Sequence, residues 1–289
     1  MENEKIQHIF DELDHYDHTY KREAMEEAVA LKDAITPHLI EHLERMLADP
    51  VRYLEEGHYV NVYAFILLGY FREARAHEVI MKAAALAEDI LDDLFGDMIT
   101  EDFSWIMYAT SGGSVERLKE LVLDRKAYVY SRGAAADAIV YAAVDGAITR
   151  ESAIEFFTAL FTGDEADEYS DFWSSIASRI SDLYPEEAMD SIRKGFENGL
   201  IHEGYIDYEW FERTLRQGKE QVLEQTRQEL GAKLDREDVH SYMSWWASFN
   251  EKPLSGMPEY RPEDSKRKAA KIKKKKRIIA KTSRKKNRR

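Results

Sequence analysis

The sequence predicts an all-α protein built from helical hairpins stacked one on another. Amphipathic segments with apolar residues at helical spacing begin at Thr36, Arg72, Ser114, Thr149 and Pro185, which are 36, 42, 35 and 36 residues apart. A more continuously apolar segment precedes each of them. A near-regular period that contains two helical segments is typical of a helical repeat protein.

Each element has a local signal. Ile6, Ile9, Phe10 and Leu13 share one face of a first helix that we expect to cap the stack. The continuously apolar segments are 24–31, 59–71, 103–110, 134–144 and 172–183. Pro37 and Pro185 precede amphipathic stretches and therefore predict helix starts, where a missing N–H costs least.

The chain after the last repeat start predicts three further helices, at 209–215, 219–230 and 237–249. Trp245 and Trp246 are expected to close the apolar end of the stack. Strand signals are nearly absent, since Asp145-Gly146 joins two helical segments and not two alternating runs.

A two-helix period of 35 to 42 residues is closest to that of HEAT repeats, and no tetratricopeptide or ankyrin signature is present. One hairpin cannot bury its own apolar face, so neighbouring hairpins must stack. The sequence therefore predicts a HEAT-like α-α superhelix of about five to six hairpins over residues 1–250. A closed helical bundle is the alternative.

Residues 251–264, with their Pro, Gly and Ser content, predict a linker before a tail at 265–289.

Composition excludes several classes of protein. The chain of 289 residues has no Cys, which rules out disulfides, thiolate zinc sites and a cysteine nucleophile. The apolar stretch at 58–71 is shorter than the roughly 18 to 20 residues of a membrane-spanning helix. The acidic start MENEKIQHIF differs from a secretory signal. We therefore expect a cytoplasmic protein without a transmembrane segment.

Charge is divided very unevenly along the chain. Residues 1–260 carry 25 basic and 53 acidic residues, a net charge of −28, whereas residues 261–289 carry a net charge of +14. The basic residues of the predicted tail are candidates for binding a polyanion: Lys266, Arg267, Lys268, Lys271, Lys273, Lys274, Lys275, Lys276, Arg277, Lys281, Arg284, Lys285, Lys286, Arg288 and Arg289.

Several partners suit this tail. Its composition is typical of a segment without a core. RNA, the ribosome and DNA are open as partners, with strongly salt-dependent binding, and the tail has no aromatic side chain for base stacking. The acidic body of the same chain, an anionic membrane and an acidic protein are the other candidates.

Two histidine patterns have the spacing of metal ligands. His38, Glu41 and His42 match H-x-x-E-H, the inverted zincin motif. No downstream carboxylate ligand is identified, so a helix with ordinary polar residues is the simpler interpretation. His8 and His15 lie with acidic residues on one face of the first helix, where a solvated surface is again the simpler interpretation.

The acidic run at 92–102 contains Asp97, Glu101 and Asp102, which are candidates for a metal or substrate site. Their spacing differs from an EF-hand loop, and acidic residues in a first turn also stabilise a helix N-terminus. Arg72 and Arg75 are candidates for an anionic ligand or for ion pairs with Glu73 and Glu78.

The strings HYVNVYAFILLGYFREARAHEVI (58–80), GDMITEDFSWIMYATSGG (96–113), GAITRESAIEFFTALF (146–161) and DLYPEEAMDSIRKGFENGLI (182–201) resemble a bacterial family known as domain of unknown function 1186. The resemblance spans about residues 20–250. It implies a HEAT-like superhelix in a bacterial cytosol, and it implies no reaction. Many members end in a Cys-rich zinc motif of the SecA type, which this chain cannot build without Cys.

The sequence thus favours a binding or scaffold protein whose groove takes a protein or peptide partner, without catalytic residues or cofactor. Association with nucleic acid or the ribosome through the tail is the alternative, and a metal-dependent hydrolase is a further one.

Overall fold

The structure is a computed structural model that describes residues 2–234, 238–244, 246 and 249. Within those residues it contains helices and no β-strand, which confirms the predicted all-α class. The α-helices are α1 Glu2–Asp14, α2 Arg22–Ala30, α3 Lys32–Ala48, α4 Pro50–Glu56, α5 Val60–Tyr70, α6 His77–Ala84, α7 Glu88–Phe95, α8 Met98–Glu101, α9 Phe103–Thr110, α10 Glu116–Leu123, α11 Val129–Val144, α12 Arg150–Thr158, α13 Phe172–Asp182, α14 Met189–Glu197, α15 Tyr208–Gln217, α16 Lys219–Leu234 and α17 Val239–Met243. Short 3-10 helices at Ala74–Ala76 and Glu186–Ala188 lead into α6 and α14.

The repeats form two rows of helices. The amphipathic helices α3, α6 and α10 pack in sequence along an outer row, which α12 continues beside α11 and α13. The continuously apolar helices α5, α9, α11 and α13 pack side by side in an inner row. Helix α1 lies against α2 and α5 at the first end of the stack, as expected of a cap. The number of hairpins stays a prediction, because short extra helices interrupt the repeat.

Local signals place most helix starts correctly. Thr149 is the N-cap of α12, and its hydroxyl oxygen accepts a hydrogen bond from the backbone N–H of Ser152 at 3.2 Å. The 3-10 helix before α14 begins directly after Pro185. The prediction for Pro37 was wrong, because α3 already begins at Lys32 and Pro37 lies inside it. Residues 32–36 therefore form additional helix before Pro37.

The inner row is buried on more than one face. All residues of α5 from Val60 to Gly69 are buried, and twelve residues of α11 are buried. Helices α5 and α9 approach closely at Gly69, where an added Cβ would lie 2.7 Å from the Trp105 ring. A helix that is apolar on all sides must be buried on all sides. The inner row therefore needs other helices packed on the face that the outer row does not cover.

Helices α16 and α17 provide that cover. Helix α16 packs across α9, α11 and α13, and the chain after it returns toward the first repeats. The Tyr20 hydroxyl lies 2.8 Å from Nδ1 of His240, and the Phe249 ring stacks on Tyr63 with centroids 5.9 Å apart. The expected position of Trp246 at the far end of the stack was therefore wrong, because Trp246 stacks on Phe249 beside these N-terminal helices. Trp245 lies outside the described residues.

The longest repeat spacing has a structural explanation. The 42-residue interval that begins at Arg72 includes α7 and α8, which the periodicity did not predict. Helix α7 packs on α4 and α5, and α8 packs on α9 and α11. This insertion places α8 beside the N-terminal half of α11, where it forms one wall of a cleft.

Candidate binding cleft

One face of α11 carries residues three or four apart that run along its whole length: Tyr130, Gly133, Asp137, Tyr141 and Val144. Its C-terminal part lies under α16. The Nε of Arg227 donates a hydrogen bond to the carbonyl oxygen of Val144 at 3.1 Å, and the Lys233 ammonium lies 5.8 Å from the Tyr141 ring centroid. The N-terminal part of the same face is not covered in this way and lines a cavity of about 70 Å³.

We call this cavity the acidic cleft. It lies between α8, α11, α13 and the loop before α15, and its walls include Thr100, Tyr130, Asp137, Ser175, Arg179 and Tyr205. Ser175 and Arg179 of α13 and its N-cap residue Asp171 lie at intervals of four residues, so they share one side of this helix.

Among the described residues, Arg179 is the one arginine that lines the cleft, and its guanidinium is already paired. Nη2 of Arg179 donates to the Asp137 carboxylate at 2.7 Å, and Nη1 donates to the carbonyl oxygen of Ser175 at 3.2 Å. Burial acts to lower the pKa of Arg179, but Asp137 outweighs it and holds the pKa above its ordinary value. Nε of Arg179 is buried without a hydrogen-bond partner, which typically costs about 1–3 kcal/mol.

A second carboxyl group, that of Asp182 at the end of α13, interacts with the Arg179–Asp137 pair. Burial raises the pKa of Asp182 to about 7; Arg179 opposes this rise, and Asp137 and Glu229 add to it. The backbone carbonyl of Asp182 accepts a hydrogen bond from the Thr226 hydroxyl at 2.8 Å. Burial therefore disfavours the charged form of Asp182 at neutral pH, so Asp137 is the carboxylate that pairs with Arg179.

Two exposed aromatic side chains border the cleft. Tyr130 is 48% exposed and Tyr205 is 49% exposed, whereas most large apolar residues of the inner row are buried. The Tyr128 ring packs edge-on against Tyr130, with centroids 5.1 Å apart. Exposed tyrosines beside a cavity are typical of binding surfaces, because tyrosine supplies a large contact area at a low entropic cost.

Acidic segments flank the cleft on two sides. Residues 88–101, which form α7 and α8, carry six carboxylates and no Lys or Arg, and residues 164–171 carry five and none. The second segment is fixed in place by Arg132, whose Nη2 donates to the carbonyl oxygen of Glu165 at 2.9 Å. The Trp173 indole N–H also donates to the Glu165 carboxylate at 3.0 Å.

The structure separates the candidates in the acidic run at 92–102. Asp97 and Glu101 are exposed, and Asp97 occupies the N-cap position of α8 without a side-chain cap bond. Asp102 is buried, accepts a hydrogen bond from the Trp105 indole N–H at 2.7 Å, and accepts another from the Tyr242 hydroxyl. Asp102 therefore joins α17 to α9.

The arginine candidates take part in local contacts. Nε and Nη2 of Arg75 bind the two carboxylate oxygens of Glu73 at 2.8 Å each, which confirms the predicted ion pair. Nη2 of Arg72 donates to the carbonyl oxygen of Leu234 at 3.3 Å, at the end of α16. Glu78 pairs instead with Lys82 and with Arg117 of the next outer helix.

The predicted histidine patterns do not come together. His38 is exposed on α3, whereas Nε2 of the buried His42 lies 2.7 Å from the Tyr53 hydroxyl. Burial lowers the pKa of His42 to about 4. Over the described residues, no group of three or more His, Asp or Glu side chains is arranged to hold a metal ion. All basic residues of the predicted tail lie outside the described part of the chain.

Sequence reasoning missed Tyr130, Asp137, Arg179 and Tyr205. A usable signal existed, because Asp137 and Arg179 interrupt two otherwise apolar helical segments. A charged residue in a buried helix needs a partner. Nothing local indicated that these two would pair with each other.

Comparison with known proteins agrees with the resemblance. The profile of a family described as "Protein of unknown function (DUF1186)" matches residues 4–250. The chain belongs to this family. An uncharacterised protein of Chlamydia muridarum (strain MoPn / Nigg) is 30% identical over 244 residues, which cover 84% of this chain and 96% of the relative.

An uncharacterised protein of Chlamydia trachomatis serovar D is 32% identical over 206 residues, which cover 71% of this chain and 82% of the relative. No solved structure matches the chain significantly. A search of the described residues finds no helix with the length and apolar character needed to cross a membrane. The matched range 4–250 includes both walls of the acidic cleft and ends before the basic tail.

Proposed function

We propose that this protein is a helical-repeat binding or scaffold protein of the cytoplasm, and that it binds a polypeptide segment of a protein partner in the acidic cleft. The observation that carries the proposal is the uncovered part of the α11 face, with exposed Tyr130 and Tyr205 beside a preformed cavity. The proposal includes no chemical reaction and no cofactor.

The physical argument is one of complementarity. Helix α16 already covers the C-terminal part of the α11 face, so the stack does not present one continuous groove along α11. A partner segment therefore meets a limited cleft with two aromatic edges. A few well-placed aromatic side chains can supply most of the energy of such a contact.

Selection from a random peptide library displayed on phage tests this function. Full-length protein is the bait, and its tail cations are changed to Gln so that the tail cannot compete. We expect enriched peptides that bind at least tenfold more weakly to the Tyr130→Ala/Tyr205→Ala double variant. The control variant Trp210→Ala removes an aromatic residue of α15 that is also 48% exposed but does not line the cavity. Equal binding to all three proteins, or no enriched peptide, contradicts the proposal.

A second candidate function is association with nucleic acid or the ribosome through residues 265–289. The fifteen Lys and Arg residues of that segment favour it, because phosphate neutralisation releases counterions. It predicts RNA binding that weakens steeply as salt rises and is lost when the tail cations are changed to Gln. RNA binding that survives this change would contradict it.

A further inference from the structure

We propose that the acidic cleft is also the docking site of this chain's own basic segment, residues 265–289, so that the tail and an external partner compete for one surface. Competition between the tail and a partner rests on the proposed function, whereas docking of the tail does not. Docking of the tail is tested separately.

Charge complementarity is the first argument. The two segments that flank the cleft carry eleven carboxylates and no Lys or Arg between them. Of the nearby cations, Arg179 is paired with Asp137, and Arg125 lies 3.3 Å from Asp167. The rim therefore retains a large excess of negative charge, and the tail carries the largest concentration of positive charge in the chain.

The size of the cavity fits part of a side chain. A volume of about 70 Å³ holds several water molecules or the head group of one Lys or Arg, and it is too small for a folded element. Tyr130 and Tyr205 border this space. A cation over the face of a tyrosine ring is attracted electrostatically to the ring.

The tail can reach the cleft. The last described residue, Phe249, stacks on Tyr63 of α5, and α9 and α11 are the next two helices of the inner row. Packed helices lie about 8–10 Å apart, so the cleft is on the order of 20–30 Å away. The residues between Phe249 and Ser265 span up to about 50 Å when extended. A tether of this length gives an effective concentration on the order of millimolar.

A synthetic peptide of residues 265–289 is the direct probe. Its binding to the full-length protein with a neutralised tail is measured by calorimetry at low and moderate salt. A cleft variant carries Glu88→Gln, Asp92→Asn and Asp171→Asn. Asp171 lines the cavity, and Glu88 and Asp92 act electrostatically on Tyr128, whose ring packs against Tyr130. We expect its affinity for the peptide to fall at least tenfold, with a smaller but clear loss for the Tyr130→Ala/Tyr205→Ala variant.

The matched control variant carries Glu41→Gln, Glu44→Gln and Glu155→Gln, which removes three exposed carboxylates from the outer row. It has the same net charge as the cleft variant, so a purely general attraction to the acidic body would weaken binding equally in both. We expect the control to change the affinity less than twofold. Equal losses, or a peptide that binds RNA but not the protein, overturn the proposal.

The absence of Cys allows an intramolecular test in the otherwise unchanged full-length chain. Dyes are attached to the variant Thr100→Cys/Ser283→Cys and to the control Glu155→Cys/Ser283→Cys. We expect high energy transfer only in the first pair, lost at 0.5 M salt because exposed charges are then screened. Equal transfer in both pairs overturns the proposal. If the tail does not dock but library peptides still require Tyr130 and Tyr205, the proposed function stands without this inference.

Discussion

The two halves of helix α11 show how differently one helical face is used. The C-terminal half lies beneath α16, where Arg227 binds the carbonyl oxygen of Val144 and Lys233 lies over Tyr141. The N-terminal half lines the acidic cleft with Tyr130 and Asp137. The covered half contributes to stability, and the open half is available to a ligand. A cover made by a polar helix therefore decides which part of the α11 face stays open.

The cover is itself unusual, because few of its own residues are buried. Only Val222, Thr226 and Leu230 of α16 are buried. Several of its contacts are instead hydrogen bonds between a side chain and a backbone carbonyl: the Thr226 hydroxyl donates to Asp182, and Arg72 donates to Leu234 at the end of α16. An inner row that is apolar on both faces can accept such a cover, since the apolar area lost from water comes mainly from the inner helices.

The largest expected effect is a difference in stability between two variants. One lacks an aromatic residue of the covered part of the inner row, and the other lacks an aromatic residue of the open part. Trp105 is buried in the covered part, and we expect Trp105→Ala to lower the free energy of unfolding by about 3–5 kcal/mol through cavity formation. Tyr130 borders the open cleft, so Tyr130→Ala should cost about 0.5 kcal/mol or less. Chemical denaturation of both variants measures the difference. Similar losses would show that the cleft is part of the core.

An intermediate effect concerns the attachment of α16. Thr226→Val removes the hydrogen bond to the carbonyl oxygen of Asp182 and should cost about 1 kcal/mol. Relative to the parent protein, this variant should show faster amide hydrogen exchange in α16 and little change in α10. Thr158→Val is the control, because the Thr158 hydroxyl binds only carbonyls of its own helix. Uniform acceleration in both helices would argue against a separately attached cover.

The smallest effect concerns α1, which buries Ile6, Ile9 and Leu13 at the first end of the stack and is joined to α5 by Asp14. The Asp14 carboxylate accepts hydrogen bonds from the N–H groups of Tyr59 and Val60 at the start of α5 and lies 2.5 Å from Nδ1 of His58. Burial acts to lower the pKa of His58, but Asp14 and Glu56 outweigh it and raise the pKa.

A raised folded-state pKa means that this ion pair stabilises the fold fully below the unfolded His pKa, near 6.5, and loses its contribution as pH rises through the folded-state pKa. His58→Gln should therefore destabilise the protein more at pH 6 than at pH 9, by less than about 1 kcal/mol because His58 is partly exposed. Denaturation in the Asp14→Asn background should reduce this pH dependence, because only Glu56 then raises the pKa of His58. An unchanged difference there would exclude Asp14 as a source.

Much of the repeat architecture could be predicted from the sequence, because it depends on local periodicity. The starts near Ser114, Thr149 and Pro185 agree with the observed helices to within a few residues. The error at Pro37 arose because a proline was taken to mark the first turn, whereas α3 begins five residues earlier, at Lys32. The continuous apolar character of 59–71 also indicated burial on both faces, although it did not identify the second cover.

The candidate site was less predictable. Asp137 and Arg179 are 42 residues apart, and Tyr205 joins them from a loop with no regular pattern. The residues that the sequence suggested as metal or ligand sites form hydrogen bonds or ion pairs within the protein instead. Asp102, predicted within an acidic cluster, is instead buried between Trp105 and Tyr242.

The sequence by itself determined the two rows of helices, the family and the separation of an acidic body from a basic tail, since each depends on spacing or composition read locally. Only the tertiary structure decided that α16 crosses the inner row and that half of the α11 face stays open. Helical periodicity records which face of a helix is buried. Periodicity does not identify the distant segment that covers this face. Every residue has a backbone carbonyl, so a hydrogen bond accepted by a carbonyl requires no particular residue type in the accepting helix.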